Sequence, residues 1–277
     1  MPELAAKYEC DFSMTKNIVI TGAASGLGWA LTQVFYQRGD SVLLIDRDQA
    51  LLDQRKQELR DLSRVNFGVA DLSTTQGISD ALSCIHHHYE QVDVLINNAG
   101  ITHRSLAAET RPEVFAKVMF VDWQAPVELA IGLLPKLRAS AGTIINMGSM
   151  AGWMPVLGRA AYCSAKSALT QFFEVLRSEE RDNGVRVLMV YPAFVNTNIE
   201  QNALGGDGNN AKHARSTIGV VSEPMPLAEE IAKALDRRMP RLYPHRGFWL
   251  TSLVWRLFPD VFHVLMRRKF SVELQQG

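Results

Sequence analysis

Tyr162-Cys163-Ser164-Ala165-Lys166 sets a phenol and an ammonium four positions apart. On a helix that spacing puts both groups on one face. An ammonium beside a phenol favours the phenolate and so lowers the Tyr162 pKa toward the range useful for general acid–base chemistry. Ser149 lies 13 residues earlier, at the end of a strand pattern, where its hydroxyl can hold a substrate carbonyl oxygen. A Tyr-x-x-x-Lys alone is weak, because chance produces many. Its weight here comes from what precedes it in the chain.

Thr21-Gly22-Ala23-Ala24-Ser25-Gly26-Leu27-Gly28 joins a strand pattern to a helix pattern. Glycines permit a tight turn and let backbone N–H groups approach a pyrophosphate. The helix N-terminus adds positive partial charge. The spacing is G-x-x-x-G-x-G rather than G-x-G-x-x-G, and a plain strand-to-helix turn is the alternative reading. Asp46 ends the second strand pattern, 18 positions after Gly28. A carboxylate there accepts hydrogen bonds from both hydroxyls of an adenosine ribose and repels a 2′-phosphate, so NAD is expected over NADP. Arg47 follows directly and partly offsets this. Asp71-Leu72 follows the third strand; Asp71 either receives an adenine amino group or caps the next helix. Asn97-Asn98-Ala99-Gly100 follows the fourth and suits a turn packed beside a cofactor.

The elements that must position these groups alternate along the chain. Strand patterns cover 17–20, 41–46, 65–70, 92–96, 143–147 and 185–191, with a last short one at 241–243. Helical patterns fill 26–38, 49–63, 74–90, 111–139, 161–183 and about 222–238. Such alternation predicts an α/β fold: a Rossmann-like, doubly wound parallel sheet with helices on both faces and a helical C-terminal extension. Ligands then bind outside the carboxyl ends of the strands, where strand order reverses. Residues 1–13 read as an N-terminal tail, 14–246 as one domain with a substrate loop at 199–220, and 247–277 as the extension.

The 277 residues carry 29 Lys and Arg against 29 Asp and Glu, so bulk charge gives no reason to expect a nucleic-acid partner. Cys10, Cys84 and Cys163 are too few and too scattered for a disulfide framework or a zinc cluster, and a reduced, cytoplasmic setting is expected. His86-His87-His88 reads as a solvated helix end, and no metal is expected. Apolar residues make up 47%, ordinary for a soluble globular chain, and no long apolar run free of charge predicts a spanning helix.

Taken together, the glycine loop, Asn97-Asn98-Ala99-Gly100, Ser149, Tyr162-x-x-x-Lys166 and Pro192-Ala193-Phe194-Val195-Asn196-Thr197 resemble the short-chain dehydrogenase/reductase family, over roughly residues 16–240. The length resembles its shorter, single-domain members. The resemblance implies an NAD(P)-dependent oxidoreductase. Tyr162 would be the general acid/base. Lys166 would lower its pKa and hydrogen-bond the nicotinamide ribose, and Ser149 would orient the substrate oxygen. Gly22, Ser25, Gly26, Leu27 and Gly28 would hold the pyrophosphate and ribose, and Asn98 would lie along the adenosine ribose. Pro192, Val195 and Thr197 would hold the carboxamide. Two departures stand out. Asp122, in Phe120-Val121-Asp122-Trp123, takes the place of the family's catalytic Asn, and Ala193 replaces a Gly.

Substrate contacts are expected from Ser149, Met150, Trp153, Tyr162 and Phe194, with His103, Met154, Val156 and the 199–220 loop. This mostly apolar set points to an apolar ketone or secondary alcohol, such as a steroid, a lipid or an acyl chain. The alternatives are an NADPH-dependent 3-oxoacyl-type reductase and a dinucleotide-binding sensor or scaffold. From 233 to the end, nine basic residues face three acidic ones, and Leu250, Leu253, Leu257, Val261 and Leu265 recur at helical spacing, with Pro259 splitting the stretch. That stripe is expected to pack over the pocket or across a subunit contact; contact with an anionic membrane is the second reading. The resemblance also implies a homodimer or homotetramer, with the helices at 111–139 and 161–183 pairing between subunits.

Overall fold

The structure, a computed structural model, describes residues 15–192, 194–197, 199, 201–211, 221–245 and 247–270, with backbone alone for 247–250. The expected tail 1–13, Cys10, Ala193, the 212–220 part of the loop, Arg246 and the Leu250 side chain lie outside that description.

Short runs of β-branched and aliphatic residues form the strands. They are β1 (Asn17–Thr21), β2 (Ser41–Asp46), β3 (Val65–Val69), β4 (Val94–Asn97), β5 (Thr143–Met147) and β6 (Arg186–Val190). The two-residue pieces are β7 (Phe194–Val195), β8 (Val221–Ser222) and β9 (Arg241–Leu242). Seven of them make one parallel sheet in the order β3-β2-β1-β4-β5-β6-β9; β7 pairs with β8. The order reverses between β1 and β4, so the loops after these two strands flank the crevice expected to bind a ligand.

Each inner strand is buried on both faces, and alternate residues feed two cores. Ile18, Ile20, Val42, Leu44, Ile145 and Leu188 face one layer, where α1 (Gly26–Gln37) and α7 (Pro224–Asp236) pack. Val19, Leu43, Leu95, Ile144 and Met189 face the other. That layer holds α3 (Thr75–His88), α5 (Ala125–Ala139) and α6 (Ala160–Glu179). Phe35 and Phe173 anchor the two cores and are fully buried. Truncating either to Ala would cost roughly 3–5 kcal/mol.

The remaining helices depart from the expected boundaries in two places. The stretch read as helical over 49–63 stops after α2 (Gln49–Glu58), because Leu59 turns extended and tucks into the α1 side core. The stretch 111–139 is helical throughout but not one regular helix. After α4 (Pro112–Met119), a π turn spans Phe120–Gln124 before α5 begins. This 112–139 stretch is, by length and composition alone, apolar enough to cross a membrane, though it is not free of charge; here it lies against the sheet and the α6 layer. At the other end, Pro259 does split the extension. α8 (Gly247–Leu257) and α9 (Pro259–Lys269) meet at Phe258.

Candidate active site

β1 ends in the glycine loop. Gly22 takes φ +62° and Gly26 φ +53°, the left-handed region that favours glycine. Ser25 is the N-cap of α1 but does not cap with its side chain, and no acidic residue occupies the first turn. The first amides of α1 are therefore left for an anion. Gly28 does something different from what the sequence suggested. It does not line the crevice. A Cβ there would lie 2.0 Å from the Gly22 carbonyl oxygen and 2.7 Å from Asn98 Nδ2, so its bareness lets the helix close onto the loop.

Asn98 fixes the loop from the β4 side. Its side-chain amide donates to the Thr21 and Gly22 carbonyls at 3.0 and 3.2 Å, while Asn98 and Ala99 N–H both donate to Thr21 Oγ1. Asp46, at the end of β2, accepts from Ala24 N–H at 3.0 Å and from Asp48 N–H at 3.1 Å. Its carboxylate is thereby held at the crevice wall beside Arg47. Asp71 is not the cap of α3; Thr74 is, accepting from Gly77 N–H at 2.9 Å. Asp71 instead turns back on Ser73, and lines the crevice. Its pKa is lowered: burial pushes up, but the Ser73 hydrogen bonds and nearby cations prevail.

One cavity of about 1600 Å³ runs from this loop past the C-terminal ends of β4, β5 and β6. Gly22, Ser25, Gly26, Leu27, Asp46, Arg47, Asp71, Leu72, Asn98, Ala99, Gly100, Pro192, Val195 and Thr197 line it. Ser149, Tyr162, Lys166 and Asp122 line the same cavity at its middle. Met150, Met154, Val156, Phe194 and, from the C-terminal hairpin, Val254, Phe262 and Met266 extend it as an apolar chamber.

Two expected substrate residues are elsewhere. Trp153 turns away from the cavity into an aromatic cluster, its ring 4.5 Å from Tyr191 and 6.0 Å from Tyr243. His103 is fully buried beneath the 203–211 turn, against Phe115, and does not line the cavity. Burial, with Arg159 nearby, lowers its pKa to about 4, so it is a neutral core imidazole at physiological pH. Residues 199, 202, 204 and 208–210 of the expected loop do line the cavity. Among the described residues no group of His, Cys, Asp or Glu is placed to hold a metal, and Cys84 and Cys163 are free.

The centre is set by α6 and the π turn. Lys166, buried, donates to the Met147 carbonyl at 3.1 Å, and its Nζ lies 5.6 Å from the Tyr162 ring centre. Asp122 sits on the π turn, fully buried. One oxygen accepts from Ile101 N–H at 2.8 Å; the other lies 3.4 Å from Lys166 Nζ. Gly100 leaves room for this pair: a Cβ there would be 3.3 Å from Asp122 Oδ1 and 3.7 Å from Lys166 Nζ. Burial alone would lower the Lys166 pKa, but the Asp122 carboxylate and Tyr162 outweigh it and raise it. Burial raises Asp122, against the pull of Lys166 and the Ile101 amide.

Tyr162 does not behave as its spacing to Lys166 suggested. Its pKa is raised, not lowered. Burial is the largest cause; Lys166 opposes it, and Asp122 adds a second upward push. Ser149 and Arg159 pull down, and lose. The spacing shows the ammonium, and the sequence shows Asp122 as a carboxylate near it; the burial that outweighs the ammonium shows only in the fold.

A sequence model of the short chain dehydrogenase family matches residues 16–206. The chain belongs to the short-chain dehydrogenase/reductase family. It is an oxidoreductase acting on CH–OH groups. Among curated relatives, dehydrogenase/reductase SDR family member 7B of Bos taurus is 34% identical over 234 residues, covering 80% of this chain and 70% of that one. Among solved structures, a short-chain dehydrogenase from Sphingobium yanoikuyae in complex with NADPH is 26% identical, with TM-score 0.74 over 91% of this chain and 95% of that one. A 3-ketoacyl-(acyl-carrier-protein) reductase from Brucella melitensis complexed with NADH is 25% identical, with TM-score 0.70 over 82% and 95%. Within this short-chain dehydrogenase/reductase, the family match stops at residue 206, so the α8–α9 hairpin over the chamber lies beyond it.

Proposed function

We propose that the protein is an NAD(H)-linked oxidoreductase that interconverts an apolar secondary alcohol and its ketone. The observation that carries this reading is that Ser149, Tyr162 and Lys166 open onto one cavity, glycine-lined at one end and apolar at the other. The glycine end fits a dinucleotide: uncapped first-turn amides, no carboxylate in the α1 first turn, and a Gly26 face whose added Cβ would crowd Thr197 at 3.0 Å. When bound, the nicotinamide supplies or accepts the hydride. Gly22, Ser25, Gly26 and Leu27 hold the pyrophosphate side, with Pro192, Val195 and Thr197 at the carboxamide. Tyr162 gives its phenolic proton to the carbonyl oxygen in reduction and takes the alcohol proton in oxidation. Ser149 holds that oxygen in place, and Lys166 favours the phenolate when the proton leaves.

Asp46 supports NAD over NADP, since its fixed carboxylate repels a 2′-phosphate. The NADPH-bound relative speaks for the other cofactor, the NADH-bound one for this. Calorimetric titration of NADH and NADPH into the protein decides. Tighter NADH, with Asp46→Ala erasing the difference, is expected; tighter NADPH overturns the assignment. The met-, val- and phe-lined chamber supports an apolar substrate, read by screening secondary alcohols of increasing chain length, with kcat/KM rising as CH₂ groups are added. Exposed Ile131 on α5 and Val175 on α6 support a homodimer or homotetramer built on those helices. A cytoplasmic setting remains part of the proposal.

A further inference from the structure

Within the single chain the apolar stripe of the C-terminal extension is largely left uncovered. Leu253, Leu257, Val261 and Leu265 point outward, and with Phe258 and Val264 they are between 38% and 60% exposed. The residues that dock α8–α9 on the protein are others: Val254, Trp255, Phe262 and Met266 join the core beside α5 and α6. The hairpin is thus apolar on both faces, and its outer ridge continues across the Pro259 break. Around that ridge Arg256, Arg267, Arg268 and Lys269 are exposed, with Asp260 as the hairpin's one described acid.

We propose that this ridge docks the protein on an anionic membrane surface. An apolar ridge bordered by cations is what an interfacial helix presents to headgroups and the acyl boundary. The charge also argues against a second copy of the chain as the occupant. A two-fold contact through this face would bring its cations against the same cations of the partner. Leu265 belongs to both the ridge and the cavity lining, as do Arg268 and Lys269 beside it. The chamber therefore opens at the docked edge, where an apolar substrate leaves the lipid. Only this entry route rests on the apolar-substrate reading; docking does not.

Flotation of the full chain with vesicles tests the docking without any turnover. Vesicles of phosphatidylcholine doped with phosphatidylglycerol should carry the protein up, and pure phosphatidylcholine should carry far less. Arg256→Gln with Arg267→Gln should weaken binding about fivefold per cation removed. Leu257→Asp with Val261→Asp should abolish it, while both pairs keep the wild-type melting temperature and dinucleotide affinity. Three results overturn the proposal: no binding to either vesicle, binding that neither pair changes, or a solution dimer that Leu257→Asp with Val261→Asp dissolves while no vesicle is bound. Failure of the apolar-alcohol screen with intact flotation would overturn the substrate reading alone.

Discussion

Asp122→Asn tests the central electrostatic argument. The substitution keeps the shape and the acceptor for Ile101 N–H, and removes one charge. Two unit charges 3.4 Å apart attract by roughly 5 kcal/mol at an effective dielectric of about 20. Burial offsets part of that, and breaking a buried pair by removing one partner costs about 3–5 kcal/mol. With the Ile101 bond retained, a loss near the lower end, about 3 kcal/mol, is expected. At about 2–4 °C per kcal/mol for a chain of this size, the melting midpoint falls by roughly 6–12 °C. The pH dependence has a definite sign. Lys166 has a raised folded pKa, so its pairing stabilises at neutral pH and is lost only as pH rises through that value. Asp122 is also raised, because burial outweighs Lys166 and the Ile101 amide, so its own ionisation lowers stability as pH rises through that folded value. Both contributions therefore fall with rising pH, and the wild type's advantage over the variant shrinks as pH rises.

The second readout separates chemistry from folding. Asp122 pushes the Tyr162 pKa up, so its removal lets that pKa fall. In alcohol oxidation, which on the proposed mechanism needs the phenolate, the rising limb of kcat against pH moves to lower pH. A limb that stays put, or moves to higher pH, refutes the reasoning whatever the melting curve does.

Tyr162→Phe removes the proposed proton donor alone and should cut turnover by about 10²–10⁴ in either direction, with calorimetric dinucleotide affinity unchanged. Gly28→Ala forces a Cβ against the Gly22 carbonyl at 2.0 Å, backbone against backbone, and should abolish dinucleotide binding and lower the melting temperature. Trp153→Ala should cost about 3–5 kcal/mol of stability in chemical denaturation yet leave the substrate KM unmoved, because Trp153 packs on Tyr191 and Tyr243 rather than on the cavity.

Short continuous aliphatic runs such as Ile18-Val19-Ile20 made the strands legible, because each inner strand is buried on both faces and admits little but aliphatic residues. The glycine loop and Tyr162-x-x-x-Lys166 were legible because backbone approach and helical pitch dictate residue type and spacing. The π turn at 120–124 was not, since the apolar pattern of 111–139 is equally consistent with an unbroken helix. Trp153 and His103 were misplaced for a common reason. A large or polar side chain after a strand looks the same whether it faces the cavity or the core, and only the neighbours, Tyr243 and Phe115, decide. The stripe on α8–α9 is ambiguous for another reason: with both faces apolar, spacing alone cannot tell which one packs within the chain.

The same electrostatics bear on direction. A general acid must hold its proton at working pH, and a general base must shed it. Without a dinucleotide, burial and Asp122 together keep Tyr162 protonated, against the pull of Arg159 and of Lys166, which is itself paired with Asp122. On the proposed mechanism, the reduced cofactor would bring no positive charge at its ring, so that state would persist and leave Tyr162 ready to donate to a ketone. The oxidised cofactor brings such a charge and favours the phenolate, which alcohol oxidation needs. Asp122 thus raises the pH at which oxidation begins while leaving reduction at neutral pH intact. The ratio of the two rates at one pH should then respond to Asp122→Asn, and it should do so through the oxidation arm.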